Sequence, residues 1–239
     1  MKYLILDLDG TILDEEKRIF PEFLEVLPKI KKKHRIIVVS GRAKIAVERY
    51  IREMEIEESF VSFEGAYVVW EGKVIFKKPF DERTSGFIEE RFREIALVKF
   101  YENSVEINEK FRENFFPYLQ RWGANVLGKG AEIYKFILAL RDSEILGEIP
   151  GTVFVYRRKG DVFYDVAPYT TKAEGLKILM EFARINPKDC VAFGDGYNDI
   201  GVFEICGFSV AVPWAVEDLK KKATMVAKPW DDEVLKMLL

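Results

Sequence analysis

The chain has 239 residues, 49% of them hydrophobic and 32% charged, with a formal net charge of -3. That balance suits a buried core, either as one large domain or as a core domain with an insert, and it excludes a solvated, disordered tail. A slightly acidic chain has no electrostatic footprint for nucleic acid, and no apolar stretch nears the roughly 20 residues that span a bilayer; neither partner is expected, and a cytoplasmic location is the default.

The first apolar run, Tyr3-Leu4-Ile5-Leu6, reads as a buried strand. It stops at Asp7-Leu8-Asp9-Gly10-Thr11. If the backbone stays extended there, carboxylates at i and i+2 project to one side, and packing them together costs free energy unless a cation or a shared proton compensates. Mg²⁺ is the natural partner for oxygen ligands and phosphate. Gly10 permits a tight turn, and Thr11 offers a hydroxyl and an N–H to an anion. The same pentapeptide also reads as a strand followed by an ordinary Asp-Gly turn. Further on, the run Lys31-Lys32-Lys33 is expected as a solvated helix end, where positive charge suits the C-terminal pole.

The second run, Ile36-Ile37-Val38-Val39, stops at Ser40-Gly41-Arg42. These three supply a hydroxyl, an unencumbered backbone N–H and a guanidinium where a phosphate could be held. Ser40 could equally be the N-cap of a following helix, because Ala46, Tyr50 and Met54 recur at four-residue spacing through 43–55.

The pattern then changes. A helix is expected near 84–95, a strand near 97–101, a long amphipathic stretch near 105–122, and strands near 132–140, 152–158 and 161–167. Pro79 and Pro168 bracket this segment, as where two connections leave and re-enter a core domain. The expected organisation is a core of residues 1–79 and 168–239 with a small α/β unit, 80–167, inserted.

Lys172 precedes a helix over 173–184, in which Leu176, Leu179, Met180 and Ala183 lie on one face. A lysine at a helix start opposes the dipole, which points to an anion nearby; an ordinary surface lysine is the plainer alternative. The third run, Cys190-Val191-Ala192-Phe193, ends at Gly194-Asp195-Gly196-Tyr197-Asn198-Asp199. This cluster can hold a hard cation, or it is a solvated loop in which Asn198 caps the next helix. Strands alternating with helices indicate an open α/β sheet whose ligand sits beyond the carboxyl ends of the strands, and there all three polar clusters converge. Two acidic clusters aimed at one rim favour a metal site over two unrelated loops. Cys190, Cys206 and the single histidine, His34, lack metal-ligand spacing, so the thiols are expected to be buried and free and most zinc and triad mechanisms are removed. Abundant charge with a single glutamine, Gln120, resembles the composition of heat-adapted proteins.

Taken in order, Asp7-Leu8-Asp9-Gly10-Thr11, Ser40, Lys172 and Gly194-Asp195-Gly196-Tyr197-Asn198-Asp199 resemble the four motifs of the haloacid dehalogenase superfamily. The insert between the second and third resembles a type 2 cap, and the whole is similar to the Cof-type, class IIB sugar-phosphatase branch. The resemblance implies a Rossmann-like parallel-sheet core with an α/β cap, and a Mg²⁺-dependent phosphatase of small phosphate monoesters such as a sugar phosphate or phosphoglycolate. It implies Asp7 as the nucleophile that forms an aspartyl-phosphate and Asp9 as general acid and base. It places Mg²⁺ on the Asp7 carboxylate, the Asp9 backbone carbonyl and Asp195, with Asp199 a direct ligand or just behind one. Thr11, Ser40, Gly41, Arg42, Lys172 and Asn198 would bind the phosphoryl group. The chain departs from the family at Phe63-Glu64-Gly65-Ala66, where relatives often carry Asn-Gly, and at Val212-Pro213-Trp214-Ala215, where Met and Asn are expected. A phosphomutase of the same superfamily, a receiver-like domain and a non-catalytic phospholigand-binding module are the competing readings.

Overall fold

The structure, a computed structural model, describes residues 2–94, 96–108, 127–139, 153–157 and 163–239. The chain divides into two compact units, one of Met1–Gly41, Val47–Phe76 and Thr171–Leu239, the other of Arg42–Ala46 and Lys77–Thr170.

The first unit is an open, mostly parallel sheet. Its three sequence-legible strands are β1 (Tyr3–Leu6), β2 (Arg35–Val39) and β11 (Cys190–Gly194). Five more extend it: β3 (Phe60–Ser62), β4 (Tyr67–Trp70), β5 (Lys73–Lys77), β12 (Phe208–Ala211) and β13 (Met225–Val226). The order is β13-β12-β11-β1-β2-β3-β4-β5, with β1 central. Strands β13 to β3 run parallel, and β4 turns back antiparallel to β3. Continuous apolar runs such as Leu4-Ile5-Leu6 suit this position, because a parallel sheet is covered on both faces.

Register decides what the sheet can do. Leu6 pairs with Val38 on one side and Phe193 on the other, so Asp7, Ser40 and Asp195 leave the sheet at the same carboxyl edge. Val39 pairs with Val61 and Gly194 with Ala211, which brings the ends of β3 and β12 to that edge as well.

Helices α1 (Pro21–Lys31), α2 (Lys44–Met54), α4 (Lys172–Ala183), α5 (Ile200–Ile205), α6 (Glu217–Lys222) and α7 (Asp232–Leu238) accompany the strands. On α4 the periodic Leu176, Leu179 and Met180 are buried in one cluster with Ile5, Val61 and Ala192, while Ala183 packs at its margin. Truncating such a fully buried leucine to alanine removes about 2–5 kcal/mol. The Lys31-Lys32-Lys33 run does end α1, but Lys31 is not merely solvated: its ammonium donates to the carbonyls of Met54 (3.0 Å) and Glu55 (3.1 Å) at the end of α2. Cys190 is buried and free; Cys206 is free but only partly buried.

The second unit is an antiparallel sheet with order β7-β6-β8-β10-β9. Its strands are β6 (Ala96–Tyr101), β7 (Val105–Ile107), β8 (Ile133–Ala139), β9 (Val153–Arg157) and β10 (Phe163–Pro168), and α3 (Glu82–Arg91) packs Ile88 against Phe136, Leu138 and Val166. Asp81 starts α3 by accepting the Thr84 N–H at 2.8 Å, which places the helix two residues earlier than its apolar pattern indicates. The amphipathic stretch expected over 105–122 opens instead with β7, and residues 109–122 lie outside the described residues. Among the described residues no helix is long and apolar enough to cross a membrane.

Candidate active site

Asp7 follows β1 directly, its N–H donating to the Phe193 carbonyl at 3.1 Å. The side chain is buried. Lys172 Nζ donates to Asp7 Oδ1 and to Asp199 Oδ1, each at 2.7 Å. Lys172 can do so because α4 begins there: Thr171 Oγ1 accepts the Glu174 N–H at 3.1 Å while a Glu174 oxygen accepts the Thr171 N–H at 2.9 Å. At 2% exposure Lys172 is no surface lysine. The second oxygen of Asp199 accepts the backbone N–H groups of Asp195 and Gly196, both at 3.0 Å, which folds the loop after β11 around it. Asn198 therefore does not cap α5; Asp199 occupies that position.

Gly10, with φ of +74°, lets the two acidic loops touch: a Cβ there would lie 2.2 Å from Asp195 Oδ2. Trp214 braces the same turn, its indole N–H donating to the Gly10 carbonyl at 2.6 Å. The Val216 N–H donates to the Asp195 carbonyl at 2.9 Å, so the segment after β12 holds both loops.

One oxygen from each of Asp7, Asp195 and Asp199 can lie within 4.8 Å of the other two. Burial pushes the Asp7 carboxyl well above the usual range; Lys172 pulls it down, and Asp199 and Asp195 push it further up. Burial also raises Asp195, to about 6, with Asp199 adding to the effect. Burial disfavours the Lys172 ammonium, but Asp199, Asp7 and Glu64 outweigh it and hold the lysine well above its ordinary value. The cluster thus carries more negative charge than its lysine offsets. Carboxylates so placed either share protons or gather a cation.

Asp9 Oδ1 pairs with Lys17 Nζ at 2.7 Å, partly exposed to solvent, and its charge adds to the rise of the Asp195 carboxyl. Lys17 has a left-handed backbone (φ 64°), and the Tyr50 hydroxyl donates to its carbonyl at 2.9 Å.

Thr11 is buried, with its hydroxyl 3.5 Å from Asp7 Oδ2. Ser40 is buried too, its N–H on the Val61 carbonyl at 2.9 Å, and α2 starts at Lys44, so Ser40 is not its N-cap. Asn198 Nδ2 lies 3.2 Å from both oxygens of Glu64. A Cβ on Gly41 would fall 1.9 Å from Glu64 Oε1. Arg42 belongs to the second unit. The structure therefore gathers Asp7, Thr11, Lys172, Asp195 and Asp199, and links Gly41 to Asn198 through Glu64. Glu64 was visible in sequence only as a departure from a motif, and Lys17 not at all. Glu64 follows β3, and its signal was that a third parallel strand delivers its end to the same rim.

A parallel α/β sheet that gathers a buried Asp-Lys-Asp chain and a further carboxylate at one edge is the framework of an aspartate-based hydrolase. This chain belongs to the haloacid dehalogenase-like hydrolases, whose family pattern matches residues 4–238. It is similar to YkrA of Bacillus subtilis (strain 168), 28% identical with 97% of this chain and 94% of that protein covered. It is 27% identical to YbjI of Escherichia coli (strain K12), a 5-amino-6-(5-phospho-D-ribitylamino)uracil phosphatase, over 89% of this chain and 85% of that one. Among solved structures, BT4131, a subclass IIB sugar phosphatase, superposes with a TM-score of 0.74 at 25% identity, covering 99% of this chain and 97% of that chain. The protein is accordingly a phosphatase-like hydrolase.

Proposed function

We propose that the protein is a Mg²⁺-dependent phosphatase of small phosphate monoesters, with Asp7 as nucleophile. The observation that carries this reading is the buried Asp7–Lys172–Asp199 chain with Asp195 against it. The donor set is all carboxylate oxygen, which suits a hard divalent cation; Asp7, Asp195 and Asp199, with the Asp9 carbonyl, would hold Mg²⁺, which supplies positive charge to the phosphoryl oxygens.

Asp7 attacks phosphorus, forming the aspartyl-phosphate as the ester oxygen departs, so that one displacement becomes two. Asp9 gives its proton to the leaving oxygen and then takes one from the water that opens the intermediate. Its carboxylate, paired with Lys17, is partly open to solvent and its charge reaches Asp195. Lys172 orients Asp7 and presents positive charge where equatorial oxygens gain negative charge. Ser40, Thr11, Gly41, Arg42 and Asn198 are the remaining phosphoryl-binding candidates.

We assign residues 1–79 and 168–239 to the catalytic core and 80–167 to a cap that selects the leaving group. Relatives named for a phosphoribityl compound and for sugars support a small phosphorylated polyol or sugar as substrate. Hydrolysis of p-nitrophenyl phosphate tests the reading: it should require Mg²⁺ and vanish in Asp7→Asn, which removes the nucleophile and a metal ligand while keeping the side-chain shape. Undiminished turnover by that variant would overturn it.

A further inference from the structure

We infer that Glu64 weakens the hold of this site on inorganic phosphate and so promotes product release, an inference that rests on the phosphatase reading above. Glu64 is 4% exposed and sits in the turn Phe63–Gly65 that ends β3. Its two oxygens take the Asn198 amide, one of them lies against Gly41, and its charge reaches Lys172. Gly41, Asn198 and Lys172 are three of the groups proposed to hold the phosphoryl oxygens. A carboxylate is therefore built in among the donors that a phosphate dianion must use.

The local backbone shows that this placement is imposed. Phe63 and Glu64 both adopt left-handed conformations, with φ of 50° and 54°. Side chains other than glycine and asparagine rarely take that region, and strained pairs persist where surrounding structure over-determines them. The strain turns a carboxylate toward Asn198 and Gly41.

Two consequences follow from charge. Before substrate binds, Glu64 occupies the Asn198 amide and adds to the field that keeps Lys172 protonated. Once phosphate is present, like charges face each other in a buried setting, where Coulomb repulsion is poorly screened. A phosphate ester has its leaving group as further anchorage, whereas inorganic phosphate does not, so the repulsion falls most heavily on the product.

The experiment is titration of inorganic phosphate into the full chain with Mg²⁺, by calorimetry, together with competitive inhibition of p-nitrophenyl phosphate hydrolysis. E64Q removes the charge at nearly constant shape. E64N does the same with a residue that tolerates the left-handed backbone, and so serves if E64Q folds poorly. Both should bind phosphate about tenfold more tightly than wild type, as loss of one nearby like charge predicts, and both should show a lower inhibition constant. E64D, which keeps the charge, should not tighten. A merely structural role would weaken binding in all three. Unchanged or weaker phosphate binding by the neutral variants, with wild-type hydrolysis intact, overturns the role of Glu64 alone. Wild-type protein that neither binds phosphate nor hydrolyses the ester overturns the phosphatase reading, and this inference with it.

Discussion

Lys172 and Asp7 stand 165 residues apart in the chain, yet Lys172 Nζ donates to Asp7 Oδ1 at 2.7 Å in a region closed to solvent. The contact is possible because α4 packs on β3 and β4 with its start against Gly65, and its capping box fixes where the helix begins. A buried ammonium shared between two aspartates restrains Asp7 and supplies charge that water cannot.

Replacing Lys172 by methionine keeps the volume and removes the charge. Turnover of p-nitrophenyl phosphate should fall by about three orders of magnitude, on the scale of losing a preorganised charge in such sites. The far-ultraviolet circular dichroism of the Mg²⁺-bound protein should be unchanged. Near-normal kinetics in Lys172→Met would mean that the lysine only balances charge.

The raised carboxyls predict how Mg²⁺ and pH act together. In the metal-free protein Asp7 and Asp195 bind protons more tightly than aspartates in the unfolded chain, Asp195 up to about 6. From near pH 4 to 6 the folded state then holds more protons than the unfolded state, so this contribution to stability declines as pH rises and stays lost above that window. A cation that pairs with the ionised carboxylates reverses the loss. The rise in melting temperature on adding Mg²⁺ should therefore be larger at about pH 7.5 than at about pH 5, where protons already compensate the charge. An equal or larger rise at the lower pH would mean that these carboxylates are not the binding groups.

In the second unit Lys135 on β8 and Asp165 on β10 form an ion pair of 2.5 Å, with side chains only 4% and 1% exposed. Removing one partner of such a buried pair takes away the close opposite charge that helps offset the desolvation of the other. Lys135→Met should destabilise the protein by about 3–5 kcal/mol, whereas the double change with Asp165→Leu should recover most of the loss. Urea denaturation followed by circular dichroism reads both. Full additivity of the two single losses would show that the pair is not coupled.

Much of the framework was legible locally. Tyr3-Leu4-Ile5-Leu6, Ile36-Ile37-Val38-Val39 and Cys190-Val191-Ala192-Phe193 read as buried strands because β-branched, apolar runs ending in Asp, Ser or Gly carry their conformation in neighbouring residues. The same holds for the face of α4 built from Leu176, Leu179 and Met180. Other features were illegible for one physical reason: they depend on which distant segments lie side by side. Parallel strands are joined by long crossovers, so the ranking of Leu6 with Val38 and Phe193 is a property of the assembled sheet. From that ranking follow the burial of Lys172, which by local pattern could equally have been a surface lysine, and the approach of Glu64 to Asn198 across 134 residues. The pairing of Asp9 with Lys17, whose carbonyl accepts the Tyr50 hydroxyl, likewise depends on which segments the fold brings together. By itself the sequence determined which residues end up at strand ends and therefore which chemistry was available; the tertiary structure decided the partner of each charge, because an ion pair is chosen by proximity in the fold and no periodicity encodes that.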